Sequence, residues 1–176
     1  ILTKEEITEF CIRHNLPEFR SKQITRWLWG KKATSFNQMS SLSIKTRNLL
    51  SENFCINPVT IHNLQKSSDN TIKYSLKLYD NLFVEGVLIP SKKRVTACIS
   101  SQVGCSLDCT FCATGTLKLA RNLSAAEIYD QVFILNEEAL SNFGKHISNI
   151  VFMGMGEPLL NYNSVVDAIN LITTEE

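Results

Sequence analysis

The sequence predicts an α/β chain in three parts: a small helical domain, a β-meander, and the first βα units of a parallel barrel that remains partial. Apolar residues recur at helical spacing through residues 1–55. From Pro58 the period changes to the alternation of strands. Beyond Pro90, two apolar, β-rich runs alternate with helical patterns in the order strand, loop, helix, strand, loop, helix. The expected boundaries are 1–55 for the helical domain, 56–93 for the meander and 94–176 for the barrel start.

The length of 176 residues suits one sizeable domain, or a small domain with part of a larger one. A hydrophobic content of 44% is ordinary for a soluble chain. No apolar run reaches membrane-spanning length, and ILTKEEITEF at the N-terminus does not read as a signal peptide. The expectation is a cytoplasmic, monomeric protein with no membrane attachment, whose six cysteines are thiols or metal ligands. The net charge of +1 hides an asymmetry: residues 1–60 carry +4 and the remainder −3. A basic small domain hints at nucleic acid, though charge alone describes a solvated surface equally well.

In chain order, Thr3 and Glu6 form a capping-box pattern that opens a helix to about His14, burying Ile7, Phe10 and Cys11. Pro17 opens a second helix through Trp29, with Phe19, Ile24, Trp27 and Leu28 inward and Gly30 as its stop. Arg20, Lys22, Arg26, Lys31 and Lys32 fringe it, as a phosphate contact or simply its wet face. Trp27 and Trp29 read as packing residues. A third helix, Ile44 to Phe54, directs Ile44, Leu49, Leu50 and Phe54 to the same core. Cys11 and Cys55 read as buried thiols.

Val59–Gln65, Ile72–Leu78 and Leu82–Ile89 are the meander strands, and Asp69-Asn70 and Asp80-Asn81 are its turns. Glu85 interrupts VEGVLIP and by itself reads as an exposed charge on an edge strand. Val95–Ser100 is a buried strand. Ser124 and Glu127 form a second capping box for a helix to about Leu140, with Ile128, Val132, Leu135 and Ala139 on one stripe. Ile147–Met153 is the next strand, GMGEP (Gly154 to Pro158) its loop, and the last helix starts near Ser164 with Val165, Ile169 and Ile172 on one face.

Parallel barrels carry their chemistry on loops after the strands. The first such loop holds Cys105, Cys109 and Cys112 in a CxxxCxxC spacing. Three thiolates so close can ligate three irons of a four-iron cluster and leave the fourth open, where four would close it. An open iron can bind the amino and carboxylate groups of S-adenosylmethionine (SAM) and pass it an electron. Phe111 can pack beside a bound adenine. In the second loop, glycines permit close backbone approach and Glu157 can receive an ammonium group. A zinc site, a disulfide pair and free thiols are the alternatives. A structural zinc site wants four ligands, and His14, His62 and His146 are scattered.

Taken together, these stretches resemble the RlmN/Cfr family of radical SAM RNA methyltransferases. The resemblance runs through PEFRSKQITRWLW (Pro17 to Trp29), SSDNTIKY (Ser67 to Tyr74), VEGVLIP (Val84 to Pro90), ACISSQVGCSLDCTFCATG (Ala97 to Gly115), RNL (Arg121 to Leu123) and MGMGEPL (Met153 to Leu159). Val103 and Pro158 look more like the RlmN branch than the Cfr branch.

The resemblance implies a radical SAM barrel and a methyltransferase that modifies carbon 2 of adenosine in 23S rRNA and tRNA. It implies a methyl-cysteine intermediate and a 5′-deoxyadenosyl radical, with a [4Fe-4S] cluster and SAM as cofactors and flavodoxin as electron donor. It assigns Cys105, Cys109 and Cys112 to the cluster, and Gly156 and Glu157 to the SAM site. It makes Glu85 the base that removes the adenine proton and Cys98 the thiol that resolves the protein–RNA adduct as a disulfide. The helical domain would dock RNA. The family's methyl-carrying cysteine lies in a C-terminal part, and Cys11 and Cys55 do not match it. A two-strand parallel sheet would also leave its edges bare. The chain is therefore expected to be an N-terminal fragment, inactive alone. The competing readings are a Cfr-type carbon-8 methyltransferase and a non-catalytic metal-binding RNA module.

Overall fold

A computed structural model of the chain describes residues 4–31, 33–56 and 58–173. They form two compact units that divide between residues 57 and 58.

The first unit contains α1 (Lys4–Arg13), α2 (Phe19–Thr25) and α3 (Ile44–Asn53). Ile7, Phe10 and Cys11 of α1, Ile24 of α2 and Leu50 of α3 are buried together. Phe36, Met39 and Leu42 complete this core from a segment without helical periodicity, which is why the sequence did not single them out. The Thr3 half of the first capping box, and Lys32, lie outside the described residues.

The expected second helix reaches Trp29 and ends at Gly30, but it is not α-helical throughout. After Thr25 it widens into a π turn, Arg26–Gly30, in which the Lys31 amide donates to the Arg26 carbonyl at 2.9 Å. There the Trp27 indole is half-buried, donates to Ser41 Oγ at 2.7 Å and lies under the Lys31 ammonium at 4.1 Å. Phe19 and Ile44 point outward, contrary to expectation, at 52% and 69% exposure. Each short helix has room for one buried stripe, and Ser21 and Ile24 in α2, and Thr46 and Leu50 in α3, occupy it. Cys55, beyond the end of α3, is exposed rather than buried.

The second unit contains β1 (Thr60–Lys66), β2 (Ile72–Lys77), β3 (Phe83–Pro90), β4 (Val95–Cys98), the short β5 (Gln102–Val103) and β6 (Arg121–Asn122), α4 (Ala125–Phe143), β7 (Asn149–Val151) and α5 (Tyr162–Thr173). β1 to β4 are antiparallel and β7 joins β4 in parallel, giving one sheet in the order β1-β2-β3-β4-β7. The expected bare two-strand parallel sheet is therefore not what forms. The meander covers the free edge of β4, whose backbone would otherwise lack partners. β3, paired on both sides, is an interior strand, so Glu85 is not on an edge.

Both Asp-Asn pairs make the turns. Asn70 and Asn81 take φ of +66° and +64°, and Asp69 and Asp80 accept from the amides of Thr71 and Leu82. Ser124 and Glu127 close the expected capping box on α4. α4 covers one face of the sheet: Tyr74, Leu76, Val84, Leu88 and Ala97 are buried there with Ile128 and Leu135, and the Tyr74 hydroxyl donates to Glu138 Oε2 at 3.0 Å. In α5, Val165 and Ala168 take the buried stripe and Ile169 turns out, at 40% exposure. Among the described residues no helix is long and apolar enough to cross a membrane.

Arg121 joins the meander to α4. It donates through Nε to Asp80 Oδ2 at 2.7 Å and through its two terminal nitrogens to both oxygens of Glu127, at 3.0 and 2.8 Å. The guanidinium holds the Asp80 carboxyl below the usual carboxylate range. A carboxyl lowered by folding adds stability above its unfolded pKa and loses it as pH falls through the folded value. Asp80→Asn is therefore expected to cost about 1 kcal/mol at neutral pH. The cost should shrink on acidification below the ordinary carboxylate range, as followed by urea unfolding at a series of pH values.

Candidate functional site

β4 and β7 run in parallel, so both open at the same edge of the sheet. The cysteine loop follows β4 and the GMGEP loop follows β7. Between Cys98 and Val103 the chain is polar but buried: Ser100, Ser101 and Gln102 are at most 2% exposed. Such groups must find partners inside the protein. Ser100 donates its amide to Gln131 Oε1 of α4, and its hydroxyl donates to the Glu85 carbonyl at 2.7 Å. That hydroxyl also accepts from the Met155 amide at 2.8 Å. Gln102 accepts the Glu157 amide at 2.9 Å and donates to Asn122 Oδ1 at 2.7 Å. Asn161 donates to the carbonyls of Ser101 and Leu123. The two loops are thus fastened to one buried polar strip.

Close backbone approach fixes the glycines. Gly104 has φ +75°, and a Cβ there would lie 2.1 Å from the Lys118 carbonyl oxygen. Gly156 has φ +91°, and a Cβ there would lie 2.4 Å from Cβ of Gln102. Glu157 caps the turn that follows by accepting from the Leu159 amide at 3.0 Å.

Cys105, Cys109 and Cys112 all lie on the loop after β4, each half-buried. Among the described residues no three Cys, His, Asp or Glu side chains are grouped to hold a metal ion, so the structure brings the three cysteines onto one loop without gathering their sulfurs. Two observations fit the donor set to an iron–sulfur cluster. The Leu107 amide donates to Cys105 Sγ at 3.4 Å, and the amides of Gly115 and Thr114 hold the Cys112 thiol below its ordinary pKa. Backbone donors aimed at sulfur stabilise thiolate and tune such clusters. Ser101 Oγ, buried with no hydrogen-bond partner among the described residues, is a further polar atom left over on this strip. A cavity of about 240 Å³ opens beside Cys105, lined by Leu107, Asp108, Gly115 and Lys118. Phe111 is 92% exposed.

Glu85 and Cys98 come to one face. Val87 is the cross-strand partner of Cys98, and Glu85 is two residues from Val87, so both side chains stand on the face that α4 does not cover. Cys98 is 8% exposed, and burial pushes its thiol pKa up. Glu85 is exposed and bonded to the Lys73 ammonium at 3.0 Å.

The sequence reading did not anticipate the roles of Ser100, Gln102, Gln131 and Asn161. A signal existed for Gln131, a polar residue between Ile128 and Leu135 on the apolar stripe of α4. Arg121 was visible only as part of RNL.

The comparisons with known proteins follow this division. Residues 2–56 match the family model for the ribosomal RNA large subunit methyltransferase N-terminal domain, and residues 99–175 that for the Radical SAM superfamily. The chain is 54% identical over 99% of its length to a probable dual-specificity RNA methyltransferase RlmN of Cytophaga hutchinsonii, covering 48% of that protein. It is 53% identical to the like-named protein of Christiangramia forsetii, covering 99% of the chain and 50% of the relative. A crystal structure of a radical SAM methyltransferase from Sphaerobacter thermophilus superposes with a TM-score of 0.84 at 34% identity, covering 99% of this chain and 51% of the other. The chain spans about half the length of the relatives it matches.

Gly156→Ala is expected to cost at least about 1–3 kcal/mol from backbone strain, and more through overlap with Gln102, as measured by urea unfolding. Iodoacetamide alkylation of the metal-free protein, read peptide by peptide, should label Cys98 more slowly than the exposed Cys55. Its labelling should rise only at a pH above that of an ordinary thiol.

Proposed function

We propose, for a chain that belongs to the RlmN-type radical SAM RNA methyltransferases, that the parent protein methylates carbon 2 of adenosine in 23S rRNA and in tRNA. The observation that carries this reading is the common face of Glu85 and Cys98, beside the strand ends where the cysteine and GMGEP loops begin. The shared ancestry makes a carbon-2 product the expectation, as do Val103 and Pro158 on the two loops.

Cys105, Cys109 and Cys112 would hold the cluster, with Gly156 and Glu157 at the SAM site and Phe111 beside the adenine of SAM. When bound, cluster and SAM supply the radical that an unreactive ring carbon requires. This chain's own residues do the rest. The Glu85 carboxylate accepts the proton from the modified carbon. The Cys98 thiol, kept protonated by burial until needed, gives up its proton and attacks the sulfur that links protein to RNA; a disulfide forms, the sulfur–carbon bond breaks, and its electron pair goes to the adenine-bound carbon, which takes a proton and becomes the methyl group. The first unit presents Arg20, Arg26 and Lys31 with exposed Phe19, a set suited to phosphate and splayed bases. The methyl-carrying cysteine, the electron donor and barrel closure belong to the remainder of the parent protein, which would act in the cytoplasm as a monomer with flavodoxin as donor.

Anaerobic reconstitution of the full-length protein with iron and sulfide tests the reading. A four-iron EPR signal that shifts on adding SAM, and is lost in Cys109→Ala, is expected. Zinc without sulfide would instead indicate a metal-binding RNA module. Product nucleosides should carry the methyl group on carbon 2; a methyl group on carbon 8 would assign the protein to the Cfr-type reaction.

A further inference from the structure

Glu85 is anchored twice. Its backbone carbonyl accepts the buried Ser100 hydroxyl at 2.7 Å, and Oε1 of its side chain accepts the Lys73 ammonium at 3.0 Å. In the β2–β3 register, Ser75 stands opposite Glu85 and Lys73 stands opposite Val87. Lys73 is therefore the diagonal neighbour of Glu85 on the same face, at a separation that only a long side chain spans. Phe83 and Val87 flank Glu85 along β3, and Cys98 lies across from Val87 on β4. Lys73 is the cation that the structure brings to this carboxylate, and among the described residues Oε2 has no recorded partner.

As a stabilising contact this pair is weak. Its side chains are 46% and 49% exposed, and ion pairs so open to water add little to folding. Its geometry matters more than its strength. An ammonium on one carboxylate oxygen fixes the plane of the group, while the second oxygen stays free.

We infer that Lys73 is a positioning residue: it holds the Glu85 carboxylate oriented on the face of the sheet that α4 does not cover, with Oε2 presented for proton transfer. The inference rests on the reading of Glu85 as the base. One proton moves, from the ring carbon to Oε2; the C–H bonding pair stays with the ring, and no electron is exchanged with an outside reagent.

The test uses the full-length protein and a ribosomal RNA transcript containing the target adenosine, with Lys73→Met, Lys73→Arg, Glu85→Gln and Lys77→Met compared. Lys77 is on the same strand and face and is the control for loss of positive charge. Lys73→Met is expected to lower kcat about 10- to 100-fold with KM little changed. It should accumulate an enzyme–RNA adduct that survives denaturation and leave the unfolding midpoint where it was. Lys73→Arg should restore most of kcat, and Lys77→Met should leave it unchanged. A rise in KM at constant kcat would make Lys73 a phosphate contact and overturn the inference. Equal losses in Lys77→Met, or no rescue by arginine, would also overturn it. Wild-type kcat in Lys73→Met beside a slow Glu85→Gln would remove the positioning role and leave the base in place. Wild-type kcat in Glu85→Gln would overturn the assignment of the base itself.

Discussion

Where β4 gives out at Cys98, the chain enters a strip of buried polar residues, and its hydrogen bonds decide where everything at that edge of the sheet can lie. Ser100, Ser101 and Gln102 have almost no access to water. Most of the polar groups there are met from within, because an unmet one costs about 1–3 kcal/mol, and Ser101 Oγ is the exception among the described residues of the strip. Gln131 reaches down from α4, Met155 and Glu157 come from the loop after β7, and Asn161 comes from the turn before α5. The strip is a template on which two loops, distant in sequence, acquire one geometry. Gly156 is drawn so close to Gln102 that a side chain at that position has no room.

The same strip also reaches the strand that carries Glu85. The Ser100 hydroxyl links the backbone of Glu85 to the amide of Met155, so the carboxylate strand and the GMGEP loop are one hydrogen bond apart on either side of a single oxygen. α4 fills the opposite face with apolar side chains. The sheet therefore has a packed side and an uncovered side, and Glu85, Lys73 and Cys98 are all on the uncovered one. Cys98 is more buried than Glu85, and that burial pushes its thiol pKa up.

Arg121 performs a comparable task at the start of α4. Its planar fork satisfies Glu127 in two places while Nε holds Asp80 in the second meander turn. Glu127 is also the capping-box residue of α4, so helix start and meander turn are positioned together. Tyr79 lies against the same guanidinium, at 5.2 Å. Arginine suits this position because lysine offers no fork.

The sequence by itself determined whatever depends on near neighbours. The Asp-Asn turns, the Ser124 capping box, the switch from helical to alternating period and the CxxxCxxC loop are all carried by residues within a few positions of one another, and each is found where the pattern puts it. The parallel order of β4 and β7 was legible for the same reason, from one strand–helix–strand unit. Tertiary structure decided the rest. Phe19, Ile44 and Ile169 have core-like chemistry, yet each short helix buries a single stripe and other residues fill it. Glu85 could be read as an edge charge, because only strand pairing reveals that β3 has a neighbour on both sides. Gln102 touches Asn122 and Glu157, and Arg121 touches Asp80, across gaps that no local spacing encodes. Local patterns specify elements, whereas burial and long-range hydrogen bonding specify which of their faces meet.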